Sequence, residues 1–198
     1  MDKVWKQIKE CAEKNNGIIK TSQIEELGIS RTVIREYRET GDIEQIRKGL
    51  YVLTEDVVDE YALLQVQSKY AIFSYGTALF LWNMSDRTPH YFDITVPRGA
   101  NISRLKKNNS NIRCHYVQPD VYELGMTEIS SPQGAMVKLY DRERCICDLV
   151  REKETIELQI YIQAIKEYFR TEPNNRKLLK YAKVFGIEEK IRTYMEVL

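Results

Sequence analysis

Three glycines, Gly17, Gly28 and Gly41, cut the start of the chain into helix-length pieces, and no proline occurs before Pro89. Val4-Trp5, Ile8 and Cys11-Ala12 recur at helical spacing and predict an amphipathic helix over residues 3–15, with Asp2 as N-cap. Asn16-Gly17 ends it. Ile18-Ile19 is a short apolar stretch. Thr21 or Ser22 then caps a second helix that carries Ile24 and Leu27 and stops at Gly28. Ser30 caps a third helix, with Val33, Ile34 and Tyr37 on its buried side, and Gly41 closes it. Residues 43–47 alternate apolar and polar, Lys48-Gly49 turns, and Leu50 to Leu53 return, which predicts a two-stranded hairpin. This is the order of a winged helix-turn-helix.

The third helix has the chemistry of a DNA-reading face. At about 100° per residue, Arg31, Arg35 and Arg38 fall within roughly 60° of one another. Thr32 shares the solvent side with Arg31 and Arg35. Such a stripe reaches base edges or phosphates in a major groove. Arg47 and Lys48 sit at the hairpin tip, where a wing meets the adjacent backbone. Lys20, Thr21 and Ser22 open the second helix, where backbone N–H groups and hydroxyls can hold a phosphate. Against this, Glu36 and Glu39 are spaced to pair with the stripe as an ordinary solvated face. Residues 1–59 carry ten Lys/Arg and twelve Asp/Glu, so the region is not basic overall. Some winged helices bind protein instead.

Four of the five prolines lie between residues 89 and 132, which marks a change of architecture. Helices are predicted over about 55–69 and from Ser74 through Met84. Strands are predicted over Tyr91–Val96, Ile112–Val117, Thr127–Ile129 and Met136–Tyr140. Asp141 caps a helix through about Arg151, and three more helices follow over about 155–170, 173–185 and 187–197. The expected fold is α+β: a winged helix-turn-helix domain over 1–59, then a C-terminal α/β domain over 60–198 with a small sheet and a helical tail. The densest basic stretch, a polar loop with no acid in it, holds Arg98, Arg104, Lys106, Lys107 and Arg113. Its charge suits phosphates, or is simply a solvated surface.

Thirty Lys/Arg balance 29 Asp/Glu, which excludes a uniformly basic nucleic-acid coat and makes any electrostatic footprint local. The longest apolar run, Ala78–Trp82, is far short of a membrane span. The charged start MDKVWKQIKE lacks a signal peptide's apolar segment. Four cysteines without a secretory signal suggest reduced thiols and a cytoplasmic protein. Cys145 and Cys147 form C-x-C, not a zinc pair, and about 200° of helix between them leaves one in the core and one out of it. No metal or cofactor is expected. Asp141, Glu143 and Asp148 with Lys138 loosely suggest a metal-dependent nuclease, but the strand-borne carboxylate–x–Lys pattern is missing. His90 and His115 read as structural. Phosphate-loop, dinucleotide-binding and nucleophile-elbow motifs do not occur.

In this order the segments G-I-S-R-T-V-I-R-E-Y, I-R-K-G-L-Y-V-L, S-Y-G-T-A-L-F-L-W, Y-F-D-I-T-V-P-R-G and V-K-L-Y-D-R-E-R-C-I-C-D-L-V span essentially the whole chain. The chain resembles the AbiEi antitoxins of bacterial abortive-infection (type IV) toxin–antitoxin systems. Glu143, Arg144 and Asp148 match that family's E-R-T-L-x-D helix, with Cys145 where Thr is usual. The resemblance implies a non-enzymatic repressor that binds inverted repeats in double-stranded promoter DNA of its own operon. It also implies a C-terminal domain that opposes a nucleotidyltransferase-like toxin without a stable complex. Two alternatives stand beside it: a stand-alone winged-helix regulator with a ligand- or partner-sensing C-terminal domain, and a nuclease targeted by a winged helix.

Overall fold

In the computed structural model, which describes residues 3–198, helix α1 (Lys3–Lys14) turns Ile8, Cys11 and Ala12 inward. The expected Asp2 cap lies outside the described residues. Strand β1 (Ile18–Lys20), helices α2 (Thr21–Glu26) and α3 (Arg31–Thr40), strands β2 (Ile43–Arg47) and β3 (Leu50–Leu53), and helix α4 (Glu60–Val66) follow. The hairpin expected over residues 43–53 gains a third strand. Ile18 pairs with Val52 and Lys20 with Leu50, giving the antiparallel order β1-β3-β2. Three residues of β1 are too few to show an alternation, so the sequence alone does not mark that strand.

Alternation along β1 and β3 feeds two cores. Ile19, Tyr51 and Leu53 face the helices, packing with Ile8, Ala12, Ile24, Ile29, Ile34 and Ile43. Ile18 and Val52 face the other way, and Ala62 of α4 and Ala135 cover them. That second core explains the extent of this unit. It runs to Val66 and takes in Ser130–Met136, a segment distant in sequence, so its edge falls beyond the 59/60 boundary read from the sequence. Asp59 starts α4 by accepting from the Tyr61 and Ala62 N–H groups at 2.9 and 3.0 Å, and its other oxygen takes the Ser131 hydroxyl. The helix therefore begins at Glu60 and not near residue 55.

The second unit comprises Gln67–Ile129 and Val137–Leu198. Its elements are β4 (Ile72–Phe73), α5 (Tyr75–Leu81), β5 (Phe92–Pro97), α6 (Ser103–Asn108), β6 (Ile112–Val117), α7 (Pro119–Tyr122), β7 (Met126–Ser130), β8 (Met136–Tyr140), α8 (Arg142–Arg151), α9 (Leu158–Arg170), α10 (Asn175–Val184) and α11 (Glu188–Val197). The five-stranded sheet has the order β6-β5-β4-β8-β7. Strand β4 runs antiparallel to β5 and parallel to β8, and β5 runs parallel to β6. A parallel pair needs a crossover rather than a tight turn. The basic segment expected as a polar loop is that crossover, and it contains α6.

Helix α8 is buried from Glu143 through Val150. Helices α5, α9, α10 and α11 all pack on it. Enclosure on every side corrects the reading of the C-x-C pair: Cys145 and Cys147 are both buried, at 2% and 0% exposure. The tail helices α9, α10 and α11 all cover this helix.

Candidate nucleic-acid interface

The turn before α3 is built by Gly28. Its φ of +76° suits glycine, and it lets the Gly28 and Ile29 N–H groups bond back to Glu25 and Ile24 carbonyls at 3.0 and 3.1 Å. Ile29 is thereby buried beside Ile24 and Ile34. Trp5 of α1 stacks on Tyr37 of α3, ring centroids 4.9 Å apart. These contacts fix the inner face of α3, and Arg31, Thr32, Arg35 and Arg38 stand exposed on the outside. Ser30 occupies the N-cap position without a side-chain cap bond, and Gly41 ends the helix in the left-handed region at φ 84°.

Two of the three arginines have carboxylate partners. Arg35 Nε reaches Glu39 Oε1 at 2.9 Å, as the sequence spacing allows. Arg31 pairs with Glu25, which lies on α2, so no spacing rule within α3 points to it. The hydrogen bonds raise the pKa of both guanidinium groups above its ordinary value. Both pairs are open to water, with the arginine side chains 77% and 75% exposed. Exposed pairs of this kind are weak and screened by salt, so a phosphate or base edge can replace the carboxylate.

The wing is short. Lys48 is exposed and Arg47 half-buried, a bulge falls between Gln45 and Arg47, and Gly49 turns at φ +80°. The Gly49 carbonyl accepts the Thr21 N–H at 3.0 Å. With Lys20 paired to Leu50, this brings Lys20, Thr21 and Ser22 beside the wing tip. The cap assignment changes: Lys20, not Thr21 or Ser22, is the N-cap residue, and its N–H donates to Gln23 Oε1 at 3.1 Å. The Lys20 and Thr21 N–H groups are therefore used internally. What that corner offers a phosphate is the Lys20 ammonium, the Ser22 N–H and the two hydroxyls.

In the second unit the basic residues do not form one surface. Arg98, Arg104, Lys106 and Lys107 are exposed on the crossover and α6. Lys106 lies over the Tyr116 ring at 5.3 Å. Arg113 is three residues from Tyr116 on β6 and so points to the opposite face, where it lies 3.9 Å from Asp93 and over Tyr91. The carboxylates weighed as a nuclease site are engaged internally. Asp141 caps α8 at the Arg144 N–H and binds Lys177 and Tyr181, Glu143 binds Lys177 and Tyr168, and Asp148 binds Arg144 and Arg151.

The helix, glycine turn, arginine helix and hairpin together correspond to a known sequence pattern. Residues 6–54 match the AbiEi antitoxin family. The matching model is described as a transcriptional regulator, AbiEi antitoxin, and it runs from α1 through β3. No curated protein matches the chain. The crystal structure of the RV2827C protein from Mycobacterium tuberculosis is similar in fold, with a TM-score of 0.59 at 12% identity over 89% of this chain and 69% of that one. The AbiEi match is thus to a regulatory family, and it falls on the unit that carries the exposed arginine helix. No helix among the described residues is long and apolar enough to cross a membrane.

Proposed function

We propose that this chain is a cytoplasmic AbiEi-type antitoxin and autorepressor, whose first unit binds inverted repeats in the double-stranded promoter DNA of its own operon. The observation that carries the reading is the exposed Arg31–Arg35–Arg38 face of α3, presented by a glycine turn in a segment that matches a transcriptional-regulator family. In this reading Arg31, Thr32, Arg35 and Arg38 contact base edges and phosphates in the major groove. Arg47 and Lys48, with Lys20, Thr21 and Ser22 beside them, hold the flanking backbone. Arg98, Arg104, Lys106 and Lys107 add phosphate contacts from the second unit, while Arg113, turned to the other face, is left out of that set.

The second unit carries the antitoxin activity, opposing a nucleotidyltransferase-like toxin through its effect and not through a stable complex. No cofactor and no catalysis enter this account. The test measures two readouts on the same variants: gel-shift binding to the operon's upstream DNA, and growth rescue in cells that make the neighbouring toxin. The reading expects Arg31→Ala to weaken promoter binding about tenfold or more and keep rescue. Undiminished promoter binding by Arg31→Ala together with Arg35→Ala contradicts the DNA assignment, and a folded full-length chain that fails to rescue contradicts the antitoxin assignment.

A further inference from the structure

The second unit contains a cavity of ≈ 740 Å³ that the DNA-binding reading does not use. Its size is within the range of small-molecule sites. One wall comes from the open edge of the sheet. Arg113 and His115 are two residues apart on β6, so they share a face, and Arg113 is in register with Asp93 on β5. Both side chains line the cavity with Asp93. His115, read from sequence as structural, is held at 2.8 Å between its Nε2 and Asp93 Oδ1.

Two aromatic stacks flank this carboxylate. The Tyr75 ring lies on His115 at 4.0 Å and 26°, and the Arg113 guanidinium lies over Tyr91 at 5.2 Å. The lining also includes apolar carbon: Leu149 of α8, Ile156 of the segment that follows and Ile160 of α9. A planar group in this cavity finds both aromatic rings and branched aliphatic carbon in its lining.

The polar groups are arranged to read an edge. Arg113 Nη1 is 3.9 Å from Asp93 Oδ1, a long ion pair beyond hydrogen-bond reach, while that oxygen is engaged by His115 Nε2 at 2.8 Å. Arg87, by contrast, is engaged at the rim by Glu157 and Gln159 at 2.6 Å each. The backbone beneath is specialised. Tyr75 has φ +43°, unusual for a residue with a side chain, and a Cβ at Gly76 would come within 3.0 Å of Asp93 Oδ2. Asp93, Glu152 and Glu157 all line the cavity, so a bare anion meets repulsion as well as attraction.

We propose that this cavity binds a nucleobase-bearing small molecule, a nucleoside or nucleotide, whose ring stacks beside Tyr75 and Tyr91 and whose polar edge is read by Arg113 and Asp93. Nucleobases are planar and carry donors and acceptors along one edge, which matches this pairing of rings with a guanidinium and a carboxylate that are not hydrogen-bonded to each other. The site lies within the second unit and does not depend on the DNA assignment.

The test is calorimetric titration of the full chain with adenosine, guanosine, cytidine, their monophosphates and inorganic phosphate. At least one nucleoside or its monophosphate is expected to bind with a dissociation constant below about 1 mM. Tyr91 is about half exposed and the Arg113 side chain 60% exposed, so Tyr91→Ala and Arg113→Ala leave the fold intact. Each is expected to weaken binding about tenfold, while Arg31→Ala on α3 leaves it unchanged. No binding by any of these compounds overturns the proposal. So does binding that survives both cavity substitutions, or binding of inorganic phosphate as tight as that of the nucleotides.

Discussion

Arg35 of α3 and Arg144 of α8 make the same local contact and do different things. Each places its Nε on a carboxylate four residues ahead, Glu39 at 2.9 Å and Asp148 at 3.0 Å. The first pair is 75% and 63% exposed; the second is 0% and 4% exposed. Arg144 also donates to the Val121 and Leu124 carbonyls at 2.7 and 2.8 Å. Its guanidinium is sandwiched between the Tyr140 and Phe185 rings at 4.2 and 4.6 Å. Gly125 makes room for it, since a Cβ there would fall 2.7 Å from Arg144 Cβ. Burial pushes the Asp148 carboxyl up despite the opposing pull of Arg144 and Arg151, which shows how strongly this site is desolvated. One spacing thus yields a replaceable surface pair in one unit and a structural pin in the other.

The largest expected effect breaks the buried member. Arg144→Ala leaves the buried Asp148 with Arg151 alone and removes the Arg144 donors from two carbonyls, and loss of one partner of a buried pair costs ~3–5 kcal/mol. Thermal melts are expected to show a midpoint lower by roughly 10 °C. Arg35→Ala should leave the melting curve unchanged within about a degree, as an exposed pair contributes little. Equal destabilisation by the two substitutions would dissolve the contrast between the units.

Next in size is the effect on DNA. If α3 reads bases, Arg31→Ala and Arg35→Ala each remove a contact whose loss weakens specific binding by about tenfold or more. Gel-shift titrations against promoter and scrambled duplexes read this directly, and the loss should be confined to the promoter. At the wing, Arg47→Ala and Lys48→Ala are expected to weaken binding to both duplexes alike. Each should lower the slope of log affinity against log salt by about one. A wing substitution that relaxed sequence preference would move base reading from α3 to the hairpin.

Much of this was legible in the sequence because the first unit is written in local signals. Gly28, Gly41 and Gly49 each sit where the chain needs a positive φ, and Ile34 and Tyr37 turn inward as their period requires. What the sequence hid is what depends on distant partners. Glu25 reaches Arg31 across a turn, and Ala135 covers a sheet face made by Ile18 and Val52, far from it in the chain. Strand β1 draws its existence from β3. In the second unit, the crossover helix α6 carries only Leu105 as a buried residue, too little apolar pattern to announce a helix. The stacks around Asp93 combine residues from β5, β6 and α5, which no single-segment pattern joins.

A smaller effect sharpens the contrast through pH. Burial pushes the hydroxyls of Tyr122 and Tyr181 up to about 12, against about 10 in an unfolded chain. The Tyr122 hydroxyl donates to the Tyr70 carbonyl and that of Tyr181 to Asp141, both within the second unit. A raised folded pKa means their stabilisation is complete below pH about 10 and is lost as pH rises from there toward about 12. Denaturant titrations at several alkaline pH values should show a stability decline that becomes shallower in Tyr181→Phe and in Tyr122→Phe.

The central claim, that the exposed arginines of α3 serve DNA while the matching arginine of α8 serves the fold, is tested most directly by one paired measurement on Arg35→Ala. Promoter affinity and melting temperature are determined on the same preparation of the full chain. The account predicts an affinity lowered about tenfold with the melting temperature unchanged. Wild-type affinity for the promoter, or a loss of affinity that merely accompanies unfolding, would contradict it.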